Sequence, residues 1–402
     1  MHAILITSGS GGDIYPFLQL GRELKKRGHH CTLITHCIYE EKASRYGLDF
    51  TPLDTPAEYL AFVEDQPLLN TPRGIPQFLR RHALSSVSVL FERVSRHISR
   101  QDTVLLTRDL FDTAPRLISE KLGLPLIWVF LSPSQITTAP LRARLFSSML
   151  AADIERIRSS LGLQPSVPET YWLTYATDSI ALWPEWFAPS EDWPCKLVSV
   201  GFMVEDATET DGLPSNIESM LAKGPPPVLI TAGTGAYLGG DFHDASARAC
   251  TLVNRPGIVV SRYAAQIPSH LPDSVSSVDF LPFRTLMPRM GAVIHHGGIG
   301  TLNCALGAGI PQLVLPLGAD RPDNAVRLER LGVAEYLPPP QWKPQLIADA
   351  LRRLLDSPAV SLRCKEFAER LADTDAAKAA CEVIERQLRP SNSGSGTSNP
   401  KL

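Results

Sequence analysis

Apolar residues gather into short runs along the chain, and between the runs they recur every three or four positions. Ala3–Thr7, Cys31–Thr35, Phe50–Leu53, Thr103–Thr107 and Pro125–Leu131 are short and apolar and predict strands. Pro16–Arg27 and Thr113–Leu122 have helical spacing between them. The same alternation restarts after residue 226. Strands are predicted at Val228–Thr231, Ile258–Ser261, Val278–Leu281, Ala292–His295 and Gln312–Leu315, and helices at Asp241–Val253, Ile299–Gly307 and Asp323–Leu331. Such alternation predicts parallel sheets with helices on both faces, hence an α/β protein built from two doubly wound, Rossmann-like units.

The acidic stretch Phe202–Gly224, ending in Gly224-Pro225-Pro226-Pro227, interrupts the pattern and reads as a linker. The expected division is residues 1–204 as a first unit, 205–226 as linker and 227–376 as a second unit. A helix over 377–390 would return to the first unit, and 391–402 would be a disordered Ser/Gly/Asn-rich tail. Composition narrows the function class. With 402 residues, 44% apolar and 20% charged, the chain can bury a core and is not disordered as a whole. A net charge of −3 offers no nucleic-acid surface. The 34 dispersed prolines mark many loops. Seven cysteines without a CxxC argue against a disulfide framework or structural zinc and fit a reducing cytoplasm. No apolar run approaches the ~18 residues of a spanning helix, and Ala3–Ile6 is too short for a signal-peptide core. A cytoplasmic protein with at most peripheral membrane contact is expected.

Two glycine clusters follow predicted strands. Ser8-Gly9-Ser10-Gly11-Gly12-Asp13 suggests close approach of a ligand to backbone. A dinucleotide fingerprint starting at Gly9 fails, because Ile14 stands at its third glycine and no acid ends the second strand. Asp13 has two compatible readings: a general base toward a hydroxyl, or a cap for a helix starting near Pro16. The denser cluster is His295-His296-Gly297-Gly298-Ile299-Gly300-Thr301, where a helix start, a threonine hydroxyl and a histidine form an anion site suited to a diphosphate. Asp320 and Asn324 follow on the next strand-to-helix turn and suit sugar hydroxyls.

His296–Thr301, then Ala308-Gly309-Ile310-Pro311, then Asp320 with Asn324 resemble in order and spacing the signature of family-1 glycosyltransferases. Ser8–Phe17, Arg27-Gly28-His29 and Trp183–Pro189 with Asp192-Trp193-Pro194 resemble the bacterial branch, the tryptophan stretch most of all the rhamnosyltransferases of rhamnolipid synthesis. Antibiotic and sterol glycosyltransferases are wider relatives. The resemblance covers about residues 1–385 and implies the GT-B fold, with two Rossmann-like domains facing each other across a cleft. It implies inverting transfer from a UDP- or dTDP-sugar to a hydroxyl of a hydrophobic acceptor, with no metal or other cofactor and no nucleic-acid partner. Asp13 would be the base, with Asp109 or Asp112 as a second acid. The donor would meet Gly12, Thr234, Phe280, Leu281, His296, Gly298, Gly300, Thr301, Asp320, Arg321 and Asn324. The acceptor would meet Ile14, Trp183 and Trp186. The family's usual Asp-Gln pair reads Asp320-Arg321 here, which predicts either an altered sugar contact, such as an acidic sugar, or an arginine turned to solvent or a nearby acid.

Other features have plainer readings. Asp373-Thr374-Asp375 has the DxD form of metal-dependent transferases but lies in a helical region, where a solvated face is expected. His29, His30 and His36 flank the second strand without converging as metal ligands. Trp172, Trp183, Trp186 and Trp193 fit an acceptor pocket or core packing. A catalytically weak helper subunit, and a nucleotide-sugar epimerase or phosphorylase, remain as alternative functions.

Overall fold

The computed structural model describes residues 1–98, 102–108, 113–165, 179–189, 197–203, 213–222, 224–234 and 240–387. Among these, strands β1 (His2–Ile6), β2 (His30–Thr35), β3 (Asp49–Pro52), β4 (Thr103–Thr107), β5 (Leu126–Phe130), β6 (Ser179–Ala181) and β7 (Leu197–Ser199) form one parallel sheet in the order β3-β2-β1-β4-β5-β6-β7. Strands β8 (Val228–Thr231), β9 (Gly257–Val260), β10 (Val275–Val278), β11 (Ala292–His295), β12 (Gln312–Val314) and β13 (Ala334–Tyr336) form a second, also parallel, in the order β10-β9-β8-β11-β12-β13. Both sheets reverse direction of growth between their first and fourth strands, at β1/β4 and at β8/β11. Ligands bind at that switch point, outside the carboxyl ends of the strands. The two expected glycine clusters emerge there.

Helices α1 (Gly11–Lys26), α2 (Val87–Arg96), α3 (Ser215–Ala222), α4 (Ile299–Ala308), α5 (Arg321–Arg330), α6 (Pro358–Ala372) and α7 (Ala376–Gln387) carry the rest of the argument. Helix α1 begins five residues before the expected Pro16. The Asp13 carboxylate closes its first turn by accepting the Ser10 N–H at 2.8 Å, and Pro16 is tolerated at the cost of one backbone hydrogen bond. Strand β10 ends at Val278 rather than starting there, because its pairing with β9 runs out and Asp279–Pro282 turns toward the cleft. Strands β6, β7 and β13 have three residues each, too few for a periodic signal.

Within the expected linker, α3 buries Ile217 in the same apolar core as Leu229 and Ile258, so this part belongs to the second unit; residues 204–212 lie outside the described residues, as does the tail from 388. Helix α7 crosses back to the first unit. Ala380, Cys381 and Ile384 share a core with Leu20, Leu24 and Cys31, and Glu385 lies 3.1 Å from Arg27 and 3.0 Å from His29.

A third core joins the units behind the cleft. Trp128, Phe130, Trp183 and Phe202 from the first unit pack with Leu302 of α4, Leu328 of α5 and Phe367 of α6. This corrects the acceptor role expected for two tryptophans. Trp183 is fully buried and donates its indole N–H to the Ala188 carbonyl at 3.3 Å, while Trp186 packs on Phe367 with ring centroids 4.8 Å apart. Neither faces the cleft; Trp172 and Trp193 lie outside the described residues.

Candidate active site

A cavity of about 1470 Å³ lies between the carboxyl ends of the two sheets and is lined from both. Its C-terminal wall is built from backbone. After β11 the chain turns through Gly297, whose φ of +93° favours glycine, and Gly298 caps α4 without a side chain. The first turn of α4 therefore has N–H groups without intrahelical partners, and Gly298, Gly300 and Thr301 line the cavity around it. The His296 ring is held between two glycines: a Cβ on Gly233 or on Gly298 would lie 2.4 Å from it. Burial first, then the Arg321 guanidinium and the neighbouring His295, hold His296 well below the ordinary histidine pKa. His296 is thus a neutral imidazole near pH 7 and offers a hydrogen bond, not a positive charge. Its Nδ1 is buried and has no hydrogen-bond partner.

Asp320 precedes α5 on a turn where Gly318 and Ala319 both have positive φ, 65° and 52°. Buried Asn324 braces that turn, donating to the Gly297 carbonyl and to Asp320 Oδ2, each at 2.9 Å. It thereby couples the turn before α4 to the turn before α5 without itself lining the cavity. Burial raises the Asp320 pKa against the opposing pull of Arg321, and the charge of Asp13 adds to the rise from across the cleft. The Arg321 side chain folds back onto the Leu317 carbonyl of its own turn. Phe280 is 40% exposed and Arg262 stands 5.4 Å over its ring; Leu281 lines the cavity beside it, and the Thr234 carbonyl accepts from Tyr263.

The N-terminal wall is built from side-chain pairs. Asp13, on the first turn of α1, accepts from the Ser10 N–H and hydroxyl and pairs through its other oxygen with Arg108, the residue after β4. Gly9 makes room: at φ +122°, a Cβ there would lie 2.4 Å from Asp13 Oδ2. The Gly9 N–H donates to His36 Nε2 at 3.0 Å, so His36 carries its proton on Nδ1 and donates it to Asp54 at 2.6 Å. Burial alone would raise the Asp54 pKa, but the hydrogen bonds from His36 and the Cys37 N–H bring it below the ordinary value. Sequence reasoning missed Arg108, His36 and Asp54 in this arrangement, because each partner is distant along the chain. A histidine at the end of the strand next to β1 was the only available signal.

Gly12 and Asp13 line the cavity, but Ile14 does not: it is fully buried in the core of the first unit and cannot touch an acceptor through its side chain. Asp109 and Asp112 lie outside the described residues. Asp375 accepts the Lys378 N–H at 3.0 Å at the start of α7, a capping role for the DxD-like stretch. His29 meets Glu385 and His36 meets Asp54, so the early histidines do not converge. Among the described residues no cluster of His, Cys, Asp and Glu is arranged to hold a metal, and no helix is long and apolar enough to cross a membrane.

Comparison with known proteins agrees with this geometry. Residues 3–140 match the glycosyltransferase family 28 N-terminal domain, and residues 256–388 match the erythromycin biosynthesis protein CIII-like C-terminal domain. The chain is 26% identical to O-mycaminosyltylonolide 6-deoxyallosyltransferase of Streptomyces fradiae, over 96% of this chain and 97% of that protein. It is 23% identical to a sterol 3-beta-glucosyltransferase of Leptosphaeria maculans, where 96% of this chain spans 28% of a longer protein. Among solved structures, the glycotransferase of kitacinnamycin has a TM-score of 0.77 at 19% identity, covering 96% of this chain and 99% of that one. Glycosyltransferase VinC in complex with dTDP has a TM-score of 0.73 at 21% identity, covering 97% of this chain and 100% of that one. With two switch-point sites facing one cleft, and relatives that match from end to end, the chain belongs to the family-1 glycosyltransferases of GT-B fold.

Proposed function

We propose that this enzyme transfers a sugar from a dTDP- or UDP-sugar to a hydroxyl of a hydrophobic small molecule or lipid, a natural product or rhamnolipid-like acceptor, with inversion and without a metal ion. The observation that carries this reading is the single cavity that sets the Asp13 carboxylate opposite the open first turn of α4 and His296. The names of the antibiotic and sterol relatives support a hydrophobic acceptor, and the dTDP bound to VinC supports the donor class.

A hydroxyl is a poor nucleophile, so Asp13 takes its proton as the oxygen attacks the anomeric carbon. The diphosphate departs toward the other wall of the cleft. Attack and departure from opposite faces invert that carbon in one displacement. Negative charge grows on the leaving diphosphate, where the α4 N–H groups, the Thr301 hydroxyl and the neutral His296 imidazole are already in place to receive it. Asp320, braced by Asn324, meets the sugar hydroxyls, and Phe280 with Arg262 forms a platform for the pyrimidine.

A donor panel with and without hydroxylated acceptors tests the reading. Acceptor-dependent release of dTDP or UDP is expected, with an inverted linkage in the product and strong loss in His296→Ala. Acceptor-independent turnover would indicate epimerase or phosphorylase chemistry, and a retained linkage would sink the single-displacement mechanism.

A further inference from the structure

The geometry points to a second anion site in the cleft: Arg93 binds a carboxylate or similar anion carried by the acceptor, so the preferred acceptor is an amphiphile with an apolar body and an anionic end. The inference rests on the reading of the N-terminal part of the cavity as the acceptor site.

Helix α2 turns one face to the cavity. Ser86 just before it, then Val89, Leu90 and Arg93 fall at i, i+3, i+4 and i+7, and all four line the space. The Nη1 of Arg93 is buried and has no hydrogen-bond partner. Four carboxylates line this part of the cavity, and each is already committed. Asp13 is bound by Ser10 and Arg108, and Asp54 by His36 and the Cys37 N–H. Glu58 accepts from the Thr55 N–H and hydroxyl, and Asp65 pairs with Arg81 and His82. Arg93 acts on Glu58 only through space.

A buried guanidinium nitrogen without an acceptor is costly unless a ligand supplies one. The same wall contains Phe62 and Phe78, with ring centroids 5.3 Å apart, and buried Leu79. An apolar patch beside one unmet guanidinium nitrogen suits an aliphatic or aromatic body ending in a carboxylate, the anion that arginine binds most strongly. Arg93 also lies in the last turn of α2, where a cation complements the helix dipole. That role alone would create no ligand preference.

Calorimetric titration of the full chain with dodecanoate and with 1-dodecanol separates the two. The wild type is expected to bind dodecanoate at least about tenfold more tightly than 1-dodecanol. Arg93→Gln should reduce this preference to within about twofold while leaving the affinities for 1-dodecanol and dTDP unchanged, and Arg93→Lys should retain part of it. Equal affinities in the wild type, binding of neither probe, or a preference that survives Arg93→Gln would overturn the proposal. Titration with dTDP reports on the donor site separately. Failure of dTDP to bind the wild type would count against the glycosyltransferase donor reading, whereas the Arg93 assignment is decided by the dodecanoate preference.

Discussion

On the N-terminal side of the cleft, Asp13 meets Arg108 and His36 meets Asp54. On the C-terminal side, His295 and His296 are buried with few polar partners, and the α4 turn offers bare N–H groups. The first wall keeps ionised carboxylates and fixes each with an opposite charge or a hydrogen bond. The second sets neutral histidines and backbone N–H groups beside the Asp320 and Arg321 side chains. The difference follows the chemistry. A base must be ionised to accept a proton and must stay where the hydroxyl arrives. A leaving diphosphate brings its own charge, and the fixed neutral donors of the α4 turn and His296 suit its reception. The near-neutral net charge of the chain is consistent with anion recognition that is local.

The most severe way to break this contrast is to neutralise the charged side. Asp13→Asn keeps an acceptor for the Ser10 N–H but cannot take a proton. It is expected to lower kcat about 10²–10⁴-fold while leaving dTDP affinity within about twofold. Comparable loss of dTDP affinity would mean that Asp13 serves the donor, and the division of labour between the walls would fail.

Acid separates the two sides by stability. His295 is pushed down to about 4 by burial, and His243, fully buried in the second unit, also to about 4. Both fold neutral, so below pH 6.5 the unfolded chain binds more protons than the folded one. Their contribution is complete above that pH and is lost as pH falls toward 4. Each shift corresponds to about 3 kcal/mol. The Asp54 pair on the other wall has the same sign, because its folded pKa is also depressed, but its contribution is lost only below the ordinary carboxylate value. Hydrogen exchange between pH 7 and 4.5 is therefore expected to show the second unit loosening first. If the first unit loosened first, the buried histidines would not control acid stability.

How legible each wall was from sequence follows from how it is built. His296, Gly298 and Thr301 stand within six residues, and the ring they surround leaves no room for a Cβ at Gly298, so backbone chemistry appears as a compact motif. Nine of the strands, three to six residues long, were equally plain. Asp13 with Arg108 joins positions 95 residues apart, and His36 with Asp54 joins positions 18 apart; only the β1/β4 and β2/β3 neighbours of a folded sheet bring them together. Trp183 misled for a related reason: an aromatic-rich stretch suits a pocket or a core equally, and only the packing of α4–α6 against it decides. Ile14, adjacent to a site residue, points the other way on its helix.

The backbone-built wall should be sensitive to a single methyl group. Gly298→Ala places a Cβ 2.4 Å from the His296 ring, and the ring or the turn must move. An overpacking cost of about 1–3 kcal/mol implies roughly 5–150-fold weaker dTDP binding. Gly300→Ala, where a Cβ meets nothing within 4 Å, is the control and should bind dTDP nearly as the wild type does. Equal effects of the two would show that helix propensity, not the fit around His296, is what the glycine provides.

The smallest effect is expected where the walls are fastened together. Helix α7 ties the second unit to the first through Glu385, which meets Arg27 and His29 near the surface, and through Ile384, fully buried among Leu20 and Leu24. Partly exposed ion pairs contribute about 0–1 kcal/mol, whereas truncating a buried isoleucine costs about 2–5 kcal/mol. Glu385→Gln should therefore lower Tm by at most a few degrees, and Ile384→Ala by clearly more. Both sit far from the cleft chemistry, so the informative readout is the ratio of transfer rate to dTDP affinity. If apolar packing sets how the walls face each other, Ile384→Ala slows transfer at unchanged dTDP affinity and Glu385→Gln does not. The reverse order would make the charged tie the fastener, and the pairing logic of the N-terminal wall would then extend to the joint between the units.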